Sequence, residues 1–272
     1  MKREDMSTCC VDGDFVAALL EGAMGRERAN WLPSCGGCGL AQVPWLASLP
    51  SETRQELAAL CRLRSFRAGE IVAHEGEEPD FVCCVFTGIL RMQKTLGDGR
   101  QHIVGLLFEG DFFGGMGEEP LAVSIEAASD AEVCAFPRGP FKALFQRSPD
   151  LGQGVLLNVR SELDRARDWM AILAIPKVRG RVAGFLLALC SRFGGMSAIK
   201  GSGHGTFEVK IPISRADQAN LLGARPESIS RAYHALADDG KIVIARPDLI
   251  EIRNIDALAA EADEGEMDAR DR

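Results

Sequence analysis

Residues 214–253 read SRADQANLLGARPESISRAYHALADDGKIVIARPDLIEIR. Ser214-Arg215-Ala216-Asp217 is a capping-box variant, whose side chains satisfy the free N–H groups of a first turn; it opens a short helix through Leu222 that Gly223 stops. Arg225-Pro226-Glu227-Ser228-Ile229-Ser230-Arg231 then places proline in the first turn of a second helix, where its missing N–H costs nothing. That helix runs to about Asp239 and ends at Gly240. Two helices joined by a tight glycine turn, then Lys241–Ala245, an Arg246-Pro247-Asp248 turn and Leu249–Arg253, predict a winged helix-turn-helix.

The second helix has two chemically different sides. Ile229, Ala232 and Leu236 line one, while Glu227, Ser230, Arg231 and His234 project from the other at i, i+3, i+4 and i+7. The polar side suits the major groove of double-stranded DNA. Arg231 can bond guanine O6 and N7 in bidentate fashion, Glu227 can accept from cytosine N4, and Ser230 can meet either edge or a thymine methyl. Each good pair is worth about 1–3 kcal/mol of discrimination. An ordinary amphipathic surface helix is the alternative, and the capped motif with its wing argues against it. Charge is distributed to match. The chain carries a net charge of -8, but from Lys177 to Arg253 twelve Lys and Arg face seven acids, and Asn254–Arg272 holds seven acids against two Arg. A basic block between acidic neighbours is compatible with phosphate binding by one domain.

Upstream, Leu156, Val159, Leu163, Ala166, Met170 and Leu173 recur at spacings of 3, 4, 3, 4 and 3, an a/d seam on a helix from Leu151 to Ile175. At 1.5 Å per residue the helix spans about 37 Å. So narrow an apolar stripe fits a partner helix better than a broad core; the alternative is packing against the chain's own strands. Pro176 ends or bends the helix, and Val178–Phe193 is a further helix. Between Arg64 and Phe136 short β-like runs alternate with glycines. Leu96-Gly97-Asp98-Gly99 is a hairpin turn between Ile89–Lys94 and His102–Phe108, and such spacing predicts a small β-barrel or roll.

The organisation is thus α+β: an N-terminal arm over 1–40, flexible or weakly helical, a β-roll over 41–150, the seam helix over 151–176, the winged helix-turn-helix over 177–254 and an acidic tail over 255–272. With 46% hydrophobic and 26% charged residues, the chain has enough apolar surface for a packed core. Its longest apolar run, Val182–Cys190, is half of a membrane span and the N-terminus lacks an apolar h-region, so a cytoplasmic protein with no membrane partner is expected. Nine cysteines without an export signal point to reduced thiols or metal ligands. No nucleotide fingerprint and no nucleophile with a base at recognisable spacing argues for an enzyme.

The order of elements, Gly69-Glu70 opening the roll, the glycine pattern, the long helix and Glu227-Ser228-Ile229-Ser230-Arg231 together resemble the CRP/FNR family of bacterial transcription regulators over roughly Cys35–Asn254. The Glu-x-x-Ser-Arg form is similar to the FNR branch. The resemblance implies a cyclic-nucleotide-binding-like β-roll, a long dimerisation helix, a homodimer on an inverted repeat resembling TTGA, a spacer and TCAA, and RNA polymerase as partner. Leu121 and Ala122 stand where cyclic-AMP responders carry an Arg-Ser pair for the phosphate, so no cyclic nucleotide is expected.

Cys35-Gly36-Gly37-Cys38 is a C-x2-C loop whose glycines let two thiolates reach one metal, a pattern shared by iron-sulfur, zinc and redox sites. The FNR resemblance implies a [4Fe-4S] cluster held by N-terminal cysteines plus one in the roll, which Cys134 matches. The further cysteine of that pattern is missing from Gly39–Pro50. Cys61 is taken as the fourth ligand, with Cys9 and Cys10 as alternatives; zinc, a thiol–disulfide switch, haem at His74 or control by abundance are the competing readings. Cys83, Cys84 and Cys190 sit in apolar runs as small buried hydrophobes. Ala166 is small and uncharged, so a dimer that persists without cofactor is the alternative to dissociation in air.

Overall fold

The computed structural model describes residues 44–270 apart from 98, 116, 118, 194–206 and 212. The arm expected over 1–40 lies outside the described residues. Helices α1 (Pro44–Ala47) and α2 (Ser51–Leu60) lead into eight strands: β1 (Arg62–Phe66), β2 (Ile71–Ala73), β3 (Phe81–Thr87), β4 (Leu90–Thr95), β5 (Gln101–Leu107), β6 (Phe112–Phe113), β7 (Ser124–Ala127) and β8 (Ala131–Pro137). They form two four-stranded antiparallel sheets, ordered β1-β8-β3-β6 and β2-β7-β4-β5, which is the roll. The hairpin read from the sequence is β4–β5, with a register shift between Met92 and Gln93.

Alternation along β8 builds two cores from one strand. Val133 turns into the roll with Val85, Leu90, Leu107 and Ile125. Cys134 and Phe136 turn the other way, against Leu57, Phe141, Leu144, Leu151 and Val155 of the surrounding helices. The rings of Phe112, Phe136 and Phe141 stand 5.6–6.3 Å apart there, and Trp45 meets Phe112 edge-on at 4.9 Å. Gly88 turns the chain between β3 and β4 at φ +81°, where a Cβ would lie 2.3 Å from the Asp130 carbonyl oxygen. No other residue fits that turn.

Helix α3 (Arg138–Arg147) is followed by α4 (Pro149–Ala174), which starts two residues before the apolar period because Pro149 occupies its first turn. Its 26 residues span about 39 Å. Ile175 is extended, as the residue before a proline prefers, and α5 (Val178–Phe193) leaves in a new direction after Pro176. Next come β9 (Phe207–Lys210), α6 (Arg215–Leu221), α7 (Pro226–Asp238), β10 (Ile242–Arg246) and β11 (Leu249–Ile252), the small sheet running β10-β11-β9. The helix-turn-helix and wing are therefore where the sequence put them.

Residues 255–270, read above as part of an acidic tail, are helix α8 (Ile255–Arg270), packed on α5. Leu258 is fully buried in the core of this domain, and Glu261 pairs with Arg179 and Lys241. Charge counting hides this, because one apolar side at helical spacing suffices to dock an acidic segment. Among the described residues no helix is long and apolar enough to cross a membrane.

Candidate nucleic-acid interface and metal centre

The reading head is locked from inside. Ser214 Oγ accepts from the Asp217 N–H at 3.1 Å, the cap expected for α6. Gly223, at φ +59°, turns the chain towards α7. Ile229, Ala232, Tyr233 and Leu236 are buried along one side of α7. Tyr233 donates its hydroxyl to Gln218 Oε1 at 3.0 Å, Gln218 Nε2 donates to the Ile213 carbonyl at 3.1 Å, and Arg215 donates to the same Gln218 oxygen at 2.8 Å. The Arg215 guanidinium also lies 3.5 Å from the Tyr233 ring centroid, a cation–π contact. This lock fixes the angle between α6 and α7. Burial raises the Tyr233 hydroxyl to about 12, so it stays a donor at neutral pH. Sequence reading missed the lock; the signal was Tyr233, the chain's one tyrosine, on the apolar side of α7.

With α7 held this way, Glu227, Arg231 and His234 are exposed and Ser230 is half-buried. Arg231 Nε makes a long 3.4 Å bond to the Glu227 carbonyl, one turn back along its own helix. The wing is pinned to the head, since Arg215 donates to the Pro247 carbonyl at 3.2 Å.

The thiols divide in two. Cys35 and Cys38, with the alternatives Cys9 and Cys10, lie outside the described residues. Cys61, at the C-cap of α2, packs against the buried cluster that contains Cys134 of β8, and the two thiols influence each other's ionisation. Cys84 is directly opposite Cys134 on β3, fully buried. The neighbouring Cys134 side chain holds Cys61 below the ordinary thiol value; burial opposes this and nearby Arg62 assists. The Cys61 side chain, with burial, pushes Cys134 up. Burial raises Cys83 to about 12 and Cys190 to about 11. Only Cys61 of the five described cysteines is partly exposed. Two soft donors brought together fit half of a thiolate site, although no group of three or more potential ligands stands together among the described residues.

The seam residues lie on a single helix. Leu156, Val159, Leu163, Met170 and Leu173 of α4 are 45–67% exposed, and Ala166 is exposed between them. An adjacent stripe of the same helix, including Leu151, Val155 and Ile172, is buried against the chain's own core. Packing on the strands and an open apolar seam are therefore both present, on different sides. Asn158 fixes the rotation of the helix, donating to the Gly110 carbonyl at 2.9 Å and accepting from the Phe112 N–H at 3.0 Å. Arg165 pairs with buried Asp111 at 3.0 Å. Leu121, at the place considered for a cyclic phosphate, uses its backbone to pair with Gly76 and Glu77 at 2.8 Å each.

Two family models match the chain: a cyclic nucleotide-binding domain over residues 63–148 and a Crp-like helix-turn-helix domain over residues 180–261. The chain is 34% identical over 219 residues to the transcriptional activator protein FnrL of Cereibacter sphaeroides, covering 80% of this chain and 88% of that one. It is 32% identical over 228 residues to the nitrogen fixation regulation protein FixK of Bradyrhizobium diazoefficiens, covering 83% and 94%. Among solved structures, FixK2 from Bradyrhizobium japonicum superposes with a TM-score of 0.63 at 27% identity, over 74% of this chain and 96% of that one.

Proposed function

The chain belongs to the CRP/FNR family of DNA-binding transcriptional regulators, and from that premise we propose that it acts as a homodimeric activator reading an inverted repeat through Glu227, Ser230 and Arg231. The observation that carries this reading is the exposed polar side of α7 on a head locked by Gln218 and Tyr233. The Leu156, Val159, Leu163, Ala166, Met170 and Leu173 side of α4 pairs with its copy in a second chain. Burying an open apolar stripe of this length is favourable at about 25 cal/mol per Å². The two α7 helices then enter successive major grooves, about 34–36 Å apart, on a repeat of TTGA and TCAA type. Bound in the cytoplasm, the dimer recruits RNA polymerase.

The signal is oxygen or redox state, received through the thiols. Cys35, Cys38, Cys134 and Cys61 would hold an iron-sulfur cluster, and Cys61 and Cys134, packed in one cluster, supply two neighbouring donors for it. Such a cluster supplies lability towards oxygen when bound. The chain's own contribution is to bring both thiols behind the sheet that carries Phe112, against which Asn158 fixes α4. A second reading, control by the thiols alone, is favoured by the same Cys61–Cys134 contact. Anaerobic purification with iron and sulfide assays separates the two: about four iron and four sulfide per chain support the cluster, and metal-free protein whose DNA affinity follows thiol oxidation supports the second reading.

A further inference from the structure

The roll and the reading head meet through polar groups that the DNA-binding side does not use. Arg91 of β4 forms ion pairs with Glu126, its cross-strand neighbour on β7, and with Asp217 in the first turn of α6. All three side chains are more than four-fifths buried. One turn further along α6, Asn220 accepts from the Ile103 N–H at 2.6 Å and donates to the Gln101 carbonyl at 2.9 Å. Strand β5 is the edge of its sheet, so these backbone groups would otherwise face away from any strand. The Asn220 amide thus serves as a surrogate strand partner. Beneath the polar ties, Ile103, Leu106 and Phe108 of the roll share one buried cluster with Ala219 and Leu222 of the head.

We propose that Arg91 and Asn220 clasp the first helix of the helix-turn-helix to the roll, and that this clasp positions the head for operator binding; the proposal rests on the DNA-binding reading above. The pose it holds leaves Glu227 and Arg231 exposed. Apart from these contacts, the head is joined to the seam helix by the Ile175-Pro176-Lys177 turn and by Trp169 and Ile172 of α4, which pack on Phe185 and Gly184 of α5. A head held only at that α4–α5 corner can pivot about it and samples more orientations than one also clasped to the roll, and two half-sites can be engaged together only from a few of them. Arg91 is accordingly a positioning residue that never touches DNA. The clasp raises affinity for a two-half-site duplex and contributes little to a single half-site.

The test uses the full chain with Arg91→Gln, Asp217→Asn, the double variant and Asn220→Ala. Fluorescence anisotropy reads binding to a TTGA/TCAA inverted repeat, a single half-site and an unrelated duplex, and limited trypsinolysis reads opening at Lys177. Each single variant is expected to weaken repeat binding about tenfold, within the range typical of coupled sites. It should weaken half-site binding much less and speed cleavage at Lys177. The double variant should be no weaker than Arg91→Gln alone, because the two residues share one interaction. Unchanged or tighter repeat binding in folded Arg91→Gln and Asn220→Ala would overturn the clasp, as would equal losses on all three duplexes. A wild-type chain that binds no inverted repeat would instead overturn the DNA-binding reading, and the clasp's role with it; the two failures are told apart by the wild-type control.

Discussion

Arg231 is left exposed because its neighbours on α7 are spent elsewhere, and in the proposed complex it reaches a base edge. Ile229, Ala232, Tyr233 and Leu236 are buried, which leaves positions 227, 231 and 234 to solvent. Replacing Arg231 with Ala should cost about 1–3 kcal/mol on the preferred duplex and relax specificity at one base pair of each half-site. Competition binding against single-base variants of the operator reads this directly. Tyr233→Phe acts through the lock instead. Gln218 Oε1 loses one donor and keeps Arg215, so stability towards urea should fall by about 1 kcal/mol, with base preference unchanged. The exposed polar side of α7 was legible in the sequence because helical period and side-chain chemistry are local. The lock was not, since Gln218 and Tyr233 meet across a turn whose angle only the fold sets. Cys61 lies between these cases: its residue type was suggestive, and its place beside Cys134 depends on β1 lying beside β8.

Helix α4 carries two apolar stripes of different burial. The stripe holding Leu151, Val155 and Ile172 belongs to the chain's own core, and the stripe holding Leu163 is half exposed. Leu163→Glu should therefore leave the monomer's melting temperature nearly unchanged and shift its mass in solution towards a monomer, as light scattering would show. The a/d period of α4 was visible in the sequence, but its second stripe was not, because polar contacts of Asn158 and Arg165 interleave with its apolar ones. Helix α8 was misread for a related reason: its docking rests on Leu258 and on one buried carboxylate. Burial opposes ionisation of Glu261, but hydrogen bonds from Lys241 and Arg179 outweigh it and hold the group below its ordinary value of 4.5. A carboxylate with a depressed folded-state value adds stability above the unfolded-state value and loses it as pH falls through the folded one. Wild-type stability should thus fall more steeply below about pH 4.5 than that of Glu261→Gln, in thermal melts across the acid range.

At the scale of the whole molecule, three cores are joined in series: the roll interior, the layer between roll and helices, and the head. The last of these takes in Ile89, Ile103, Leu106 and Phe108 from the roll, so the head is packed on the roll as well as tethered to α4. Element order and fold class followed from local turn and cap signals. The union of head and roll did not, because Arg91 and Asp217 are 126 residues apart and each reads as a surface charge. In the proposed function two copies of this chain read an inverted repeat through α7. Selection of bound duplexes from a random-sequence pool by the purified chain, prepared without air, tests it most directly. A dimer that reads DNA this way enriches a two-fold symmetric TTGA/TCAA-like repeat with half-site centres about one helical turn apart. Enrichment of a single unrepeated motif, or of none, would contradict that reading.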